Sequence, residues 1–331
     1  MKPATVEFLK QRFSEYYRKS RINSPSALEQ REWGSIHFDP SYPEIRMRRH
    51  MGFLSSDELS EYVRTMSPAH IYYSSAYYEA PSAGTMAEKR WTGADLIFDL
   101  DADHILRGPY DLMLRRVREE TEKLLRMLID ELGFSERVIS VVFSGGRGYH
   151  IHVTDIAVRS WGSSERRELV DYIRGIGLHP ETMLTSRGGT VQGWRMRYRE
   201  TFTEYLAWIR GLQKEEALSH LMRAEGSYEK EASKLYRQIC ESDNTAAPQR
   251  MRVLLKSPIL QNLLTTEEGE FQKRLRERAA LADEPVTTDI KRLIRLPTSL
   301  HGGSGLRVTP LNVRDLPSFD PLVDAVVFGE R

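Results

Sequence analysis

Hydrophobic and polar positions alternate along residues 95–104, which read DLIFDLDADH. Leu96, Phe98, Leu100 and Ala102 occupy the even positions, whereas all four aspartates occupy odd positions. Successive side chains of a β-strand point to opposite faces of its sheet. The alternation therefore predicts a strand over residues 95–103 with an apolar face that packs in the core and a second face that is rich in carboxylates.

Other periodic patterns predict the elements around this strand. Apolar residues recur at helical spacing within residues 1–20 and again within 110–132, where Gly133 follows as a stop signal. The segment RVISVVFSGGRGYHIHVTD, residues 137–155, predicts a strand, a glycine-rich turn and a second strand. A further helix is predicted within residues 160–178.

The pattern changes over residues 196–280, which are charged, helical in periodicity and poor in strand signals. Strand signals return in IKRLIRLPTSLHGGSGLRVTPL, residues 290–311. We therefore expect a mostly helical insertion over 196–280 within one domain formed by residues 1–195 and 281–331, rather than two tandem domains.

Composition narrows the class of protein. The chain has 331 residues, of which 40% are hydrophobic and 29% charged, as in globular domains. No apolar run is long enough to span a membrane, and the N-terminus has no apolar signal core, so we expect no membrane association. The single cysteine, Cys240, excludes an intrachain disulfide and a multi-cysteine metal site, which favours a cytoplasmic location. The net charge of +1 neither indicates nor excludes nucleic-acid binding.

The carboxylates of residues 95–103 suggest metal chemistry. Aspartates at positions i and i+2 lie about 7 Å apart on one strand face, where their charges repel. A divalent cation such as Mg²⁺ or Mn²⁺ would remove that repulsion, since it prefers carboxylate oxygens. An exposed edge strand with acidic decoration is the alternative interpretation.

The glycine-rich turn SGGRGYHIH, residues 144–152, suggests a phosphate-binding loop. Its glycines permit close approach of a ligand to the backbone. Ser144 supplies a hydroxyl group and Arg147 a planar cation suited to phosphate oxygens. His150 and His152 share a face of the following strand. The alternative is an ordinary hairpin turn with an exposed arginine.

Two further segments carry candidate chemistry. Residues 283–305 contain two candidate carboxylates, three candidate phosphate contacts and a histidine before a second glycine-rich turn: Asp283, Asp289, Lys291, Arg292, Arg295 and His301. Residues 44–53 contain a dense cationic cluster of Arg46, Arg48, Arg49 and His50. Taken alone, residues 283–305 are better explained as a basic strand face with a hairpin, and residues 44–53 as a solvated turn.

Taken jointly, five segments resemble the small, catalytic subunit of archaeal and eukaryotic DNA primases. They are REW at 31–33, RRHMGF at 48–53, FDLDAD at 98–103, SGGRGYHIHV at 144–153 and DEPVTTDIKRLIRLPTSLHGGSG at 283–305. They occur in the family's order and at similar spacing, and the resemblance covers the whole chain, least distinctly over 200–280. It implies an α/β (α+β) primase core with mixed or antiparallel sheets flanked by helices, which makes short RNA primers on single-stranded DNA.

The resemblance also implies residue roles. Asp99 and Asp101 resemble paired ligands of a two-metal Mg²⁺ or Mn²⁺ site, and the third carboxylate falls on Asp283, with Asp289 as the alternative. The implied nucleotide contacts are Ser144, Arg147, His150, Arg295, His301 and Arg49, with Arg48 as the alternative to Arg49.

The implied partners are nucleoside triphosphates, a single-stranded DNA template and a large regulatory subunit in a heterodimer, in a nucleoid-associated location. Unlike many family members, this chain lacks the cysteines for a zinc site, so we expect no structural zinc. Two alternatives remain at this stage. One is a related polymerase that extends or repairs primed ends, and the other is a non-catalytic nucleic-acid-binding subunit.

Overall fold

The computed structural model describes residues 2–38, 47–105, 107–185, 191–241 and 248–329. Arg46, one of the cations of the predicted cluster, lies outside these ranges. Two compact units are present: Met1–Val170 with Leu281–Arg331, and Asp171–Ala280. The insertion expected over residues 196–280 stays a prediction, because it rested on a change of composition rather than on compactness.

The described residues contain ten β-strands, all in the first unit. They are β1 (Trp33–Ile36), β2 (Arg48–Met51), β3 (His70–Ser74), β4 (Ala76–Tyr78), β5 (Trp91–Ala94), β6 (Leu96–Asp101), β7 (Ile139–Phe143), β8 (Gly148–Val153), β9 (Leu293–Arg295) and β10 (Thr309–Leu311). They form a four-stranded sheet in the order β2-β1-β3-β9, a second in the order β10-β7-β8-β6, and the pair β4-β5. Every described strand pair is antiparallel.

The described residues also contain fifteen α-helices. They are α1 (Pro3–Lys19), α2 (Ser56–Met66), α3 (Met86–Lys89), α4 (Ala102–Ile105), α5 (Tyr110–Arg126), α6 (Ser163–Arg174), α7 (Pro180–Thr185), α8 (Gly193–Gly211), α9 (Lys214–Leu221), α10 (Glu229–Cys240), α11 (Pro248–Leu254), α12 (Pro258–Thr265), α13 (Glu270–Arg276), α14 (Glu284–Thr288) and α15 (Pro321–Asp324). Short 3₁₀ turns lie at Leu28–Gln30, Glu136–Val138, Ile156–Val158 and Val313–Ser318, and α5 continues into a π-helical turn at Met127–Glu131.

The predicted α+β class with antiparallel sheets is confirmed. The N-terminal helix is amphipathic as expected, because α1 buries Val6, Phe13 and Tyr17 against the core of the first sheet. The long helix α5 and its π-helical turn end before Gly133, whose φ of +76° is the left-handed conformation that glycine adopts without strain.

The acidic strand is shorter than predicted. β6 begins at Leu96 and ends at Asp101, because the chain enters α4 at Ala102. Asp95 precedes the strand and is buried in an ion pair with Arg31, in which the guanidinium donates to Oδ2 at 2.6 Å. Asp99 and Asp101 are therefore the two aspartates of the segment that lie within β6.

The second unit is helical in its described residues. Helix α8 crosses its core and contributes Tyr198, Phe202, Tyr205 and Leu206, which pack with apolar residues from α9 to α13. No helix in the described ranges is long and apolar enough to cross a membrane.

Candidate active site

A cavity of about 440 Å³ in the first unit is lined by residues of opposite charge from the two large sheets and from the segment between α14 and β9. The carboxylates are Asp99, Asp101 and Asp289, and the cationic side chains are Arg49, Lys291, Arg292 and Arg295. Juxtaposed anionic and cationic walls can bind a metal ion and a phosphate chain at the same time.

Strand pairing positions the two aspartates. Asp99 lies opposite His150 and Asp101 opposite Gly148 in the antiparallel register of β6 and β8. A Cβ at Gly148 would overlap the Leu100 carbonyl oxygen, so this position needs glycine. The two carboxylates share one strand face, as the alternation predicted.

The charge and openness of this pair suit a divalent cation. In the part of the chain that the structure describes, no three side chains of His, Cys, Asp or Glu form a group that could hold a metal ion unaided. Asp99 and Asp101 line the cavity instead. Mg²⁺ commonly binds one or two carboxylates in this way and completes its shell with waters and substrate phosphates.

The two candidates for a third carboxylate occupy different positions. The Asp283 N–H donates to the Asp99 carbonyl oxygen at 2.9 Å, and α14, which follows Asp283, packs against β6. Asp289 lines the cavity, and its Oδ1 accepts the N–H of Lys291 at 2.9 Å. Asp283 is thus joined to the acidic strand through its backbone, whereas Asp289 is one of the residues that line the cavity.

The glycine-rich turn connects β7 to β8 and is held by its own serine. The Ser144 N–H donates to the Gly148 carbonyl at 2.9 Å, and its hydroxyl oxygen accepts the N–H groups of Gly146 and Gly148 at 3.3 Å each. Gly145 has a φ of +74°, and a Cβ there would lie 2.8 Å from Cβ of His301. The turn is therefore packed directly under His301.

Arg147 is tied to the end of the acidic strand. Its guanidinium donates to Asp103 Oδ1 at 2.6 Å, and its carbonyl accepts the Ala102 N–H at 3.1 Å. Asp103 in turn donates its N–H to Asp101 Oδ1 at 3.1 Å. The Arg147 side chain remains 52% exposed, so it lies beside the carboxylate pair without being enclosed.

His150 lies between the acidic and basic walls. Its Nε2 is 3.5 Å from Asp99 Oδ1, and its Nδ1 is buried without a hydrogen-bond partner among the described residues. Burial, followed by the nearby charges of Arg295 and Arg292, lowers the pKa of His150 to about 3. The imidazole is therefore neutral at physiological pH.

His301 begins the second glycine-rich turn. Its Nδ1 accepts the N–H groups of Gly303 and Ser304 at 3.3 and 3.1 Å. Because Nδ1 is an acceptor, the proton of the neutral ring is on Nε2. Burial, with Arg295 and Arg147 nearby, lowers its pKa to about 4. The ring of His70 packs edge-on against it, with centroids 4.9 Å apart.

Arg295 is the central cation of the basic wall. It lies on β9 opposite Tyr72 of β3, and its guanidinium carbon is 5.6 Å from the Tyr72 ring centroid. Its Nε is buried and has no hydrogen-bond partner among the described residues. A buried N–H group of this kind normally has a partner, which makes it a candidate donor to a bound anion.

The structure thus brings together Asp99, Asp101, His150, Arg295 and Arg49 at one cavity. It places Ser144, Arg147 and His301 in the adjoining turns and Asp283 against the backbone of β6. Arg48, the alternative to Arg49, is exposed on β2 and is absent from the cavity lining.

Three residues near the cavity were not assigned a role from the sequence. Tyr72 and His70 lie in HIYYS, an aromatic-rich strand segment with no chemical signature apart from a lone histidine. Glu32 is the middle residue of the REW segment, and only its pairing with Arg49 at 3.0 Å connects it to the cavity. No local sequence signal distinguishes Tyr72 and His70 from core residues, and for Glu32 the only signal was its place in the REW segment.

Comparison with known proteins identifies relatives. The family model described as DNA primase small subunit matches residues 98–313. The chain is 58% identical to the DNA primase small subunit PriS of Methanoregula boonei over all of this chain and 88% of that protein. It is 54% identical to the protein of the same name from Methanosphaerula palustris and 39% identical to that of Methanosarcina acetivorans, over 87% of each.

Proposed function

The chain belongs to the DNA primase small-subunit family, and from that premise we propose that the cavity between β6 and β9 is its nucleotidyl-transfer site. A DNA primase small subunit is a DNA-directed RNA polymerase and hence a nucleotidyltransferase. Catalysis in this family depends on divalent metal. The residue assignments, the choice of metal and the partners that follow are the proposal.

One observation carries the proposal: carboxylates on one sheet face cations on the other across a single cavity. Asp99 and Asp101 would hold the metal ions, and Asp283 would complete the set. Divalent metal held there would supply a lower pKa for the attacking 3′-hydroxyl and charge stabilisation for the departing pyrophosphate. Mg²⁺ and Mn²⁺ both suit an all-carboxylate donor set.

The cations of the cavity would bind and orient the triphosphate. Arg295 can donate its Nε, which has no partner within the described ranges, and Arg49 adds a second guanidinium on the same cavity. His150, neutral at physiological pH, can donate or accept one hydrogen bond through Nδ1. Charge-assisted donors fixed in place before substrate arrives stabilise the charge that develops during transfer.

The two adjoining turns would support these contacts. Ser144 fixes the conformation of its glycine-rich turn, and Arg147 stands beside the carboxylate pair with half of its side chain exposed. His301 packs on that turn at Gly145. Their proposed role is to contact the triphosphate at the open side of the cavity.

The substrates and partners follow from the family. We infer a single-stranded DNA template, ribonucleoside triphosphates and a large regulatory subunit that forms a heterodimer with this chain. Replication chemistry would place the complex in the cytoplasm, at the nucleoid.

Synthesis on unprimed single-stranded DNA tests the function. With labelled ribonucleotides and Mg²⁺ or Mn²⁺, the wild-type chain should make short RNA, and D99A/D101A should make none. Product that requires an added primer would instead indicate an extending polymerase. Retained synthesis in the double variant would refute the assignment of the carboxylates.

A matched pair of variants distinguishes the third ligand. D283N and D289N each remove one charge at the two candidate positions. We expect D283N to abolish synthesis and D289N to retain most of it, since loss of a metal ligand costs several kcal/mol of transition-state stabilisation. The reverse order would assign the role to Asp289.

A further inference from the structure

Glu32 is a fully buried carboxylate that the nucleotidyl-transfer chemistry does not itself require. Its side chain is 0% exposed. Arg49 donates Nε to Oε1 at 3.0 Å and a terminal nitrogen to Oε2 at 3.3 Å, so the guanidinium is held by two bonds. The ammonium of Lys89, also 0% exposed, lies 3.7 Å from Oε2. An acid this deeply buried is stable only when it is paired in this way.

The backbone at Arg49 is also shaped around Glu32. Trp33 of β1 pairs with Met51 and Ser35 pairs with Arg48, so Arg49 and His50 together oppose Gly34. This is a β-bulge, and His50 adopts a φ of +60°, which is unfavourable for a residue with a side chain. The His50 N–H points to Glu32 Oε1 at 3.4 Å.

Three features therefore meet at the pair formed by Glu32 and Arg49. The bulge changes the direction of the strand at Arg49, the buried carboxylate fixes the guanidinium, and the ammonium of Lys89 offsets the charge of that carboxylate. Bulges near functional sites commonly serve to redirect a side chain. Arg49 itself is 38% exposed and lines the cavity, so a side chain that Glu32 holds by two bonds is also part of the cavity wall.

We propose that Glu32 is a positioning residue that aims Arg49 at the nucleotide phosphates. This rests on the proposed function, because Arg49 is taken to contact the triphosphate. Glu32 acts through Arg49 alone: it is enclosed by Arg49, Lys89 and the bulge and does not line the cavity. A two-bond clamp restricts the rotation of a long side chain before substrate arrives, which lowers the entropic cost of binding.

The test is a double-mutant cycle on nucleotide affinity. E32Q keeps the size of the side chain and removes its charge, and R49A removes the guanidinium. We expect each single variant to raise the KM for nucleotide about 10- to 100-fold, the range of a charge-assisted hydrogen bond. Equilibrium binding of ATP, followed by calorimetry, should weaken by the same factor. E32Q/R49A should bind no worse than R49A, since Glu32 has no other route to the nucleotide.

A matched control separates positioning from general stability. Glu120 is likewise a 0% exposed carboxylate, paired with Arg116 at 3.1 Å and Lys123 at 3.0 Å on α5. E120Q should lower the melting temperature as E32Q does but leave the nucleotide KM unchanged. An unchanged KM in E32Q, or a further loss when E32Q is added to R49A, would overturn the positioning role.

Further variants keep the two proposals distinguishable. R49K keeps the charge but cannot form the two-bond clamp, so it should bind nucleotide nearly as weakly as R49A. Wild-type affinity in R49K would overturn the positioning role even where E32Q fails to fold. If R49A binds nucleotide with wild-type affinity while D99A/D101A is inactive, Arg49 does not contact the nucleotide and the positioning role is refuted. The proposed metal site would still stand. Active D99A/D101A would refute the proposed function itself.

Discussion

Gly145→Ala tests whether the glycine-rich turn and His301 form one packed unit beside the cavity. Gly145 has a φ of +74°, and an added Cβ would lie 2.8 Å from Cβ of His301 and 3.2 Å from the carbonyl oxygen of Leu306. Alanine would therefore meet two separate penalties, the left-handed backbone and a contact that forces His301 or the turn to move.

The two penalties can be separated in magnitude. A left-handed non-glycine residue costs about 1–2 kcal/mol. Gly133 has a nearly equal φ of +76° but no atom within 4 Å of an added Cβ, so Gly133→Ala measures the backbone penalty alone. Overpacking typically costs a further 1–3 kcal/mol, so we expect Gly145→Ala to be destabilised by about 2–5 kcal/mol in total.

Urea unfolding of both variants gives the two free energies, and steady-state synthesis gives the nucleotide KM. Gly133→Ala should keep the wild-type KM, whereas Gly145→Ala should raise it about tenfold or more, because a shift of the turn displaces Ser144 and Arg147. A KM equal to wild type in Gly145→Ala, together with the larger loss of stability, would show that the turn does not contact the nucleotide.

Two further predictions concern buried ionisable side chains. Asp95→Ala should destabilise the chain by about 3–5 kcal/mol in urea titrations, because it leaves the 1% exposed Arg31 without its carboxylate; a loss below about 1 kcal/mol would contradict this. Burial, with Arg295 and His301 nearby, lowers the pKa of His70 to about 3, below its value of about 6.5 in an unfolded chain. Only the unfolded chain binds this proton between those values, so His70 by itself should contribute a loss of stability of about 1.4 kcal/mol per pH unit as the pH drops from about 6.5 toward 3. His70→Asn should remove that part of the slope, and an unchanged slope would refute the assignment.

The sequence pattern predicted the elements that hold the site because each has a local signal. Alternation located β6, and the run of strand, glycines and strand located β7, the turn and β8. What alternation could not show is that Asp95 is buried with Arg31, 64 residues away in the chain, and that Asp103 belongs to α4. Four aspartates look alike in the sequence, and only tertiary partners separate the two that face the cavity.

The residues of the site that the sequence did not predict are those that depend on contacts between distant segments. Glu32 meets Arg49 across a bulge, and a bulge is one extra residue whose position no periodicity reveals. His70 meets His301 across more than 200 residues of chain, and HIYYS otherwise has the composition of an ordinary core strand. Such residues are recognised only when the fold brings their partners to them.

The distribution of partners around the cavity separates two kinds of charged residue. Arg49 and Arg147 are each bonded to an acid of the protein, Glu32 and Asp103, whereas the Nε of Arg295 has no partner among the described residues. A cation with a protein partner is held in place before substrate arrives, and removing that partner disturbs both stability and affinity. A buried donor that lacks a hydrogen-bond partner destabilises the free protein, and an anion that accepts its hydrogen bond removes this destabilisation. Triphosphate should therefore stabilise the wild-type chain against unfolding more than it stabilises a chain lacking Arg295.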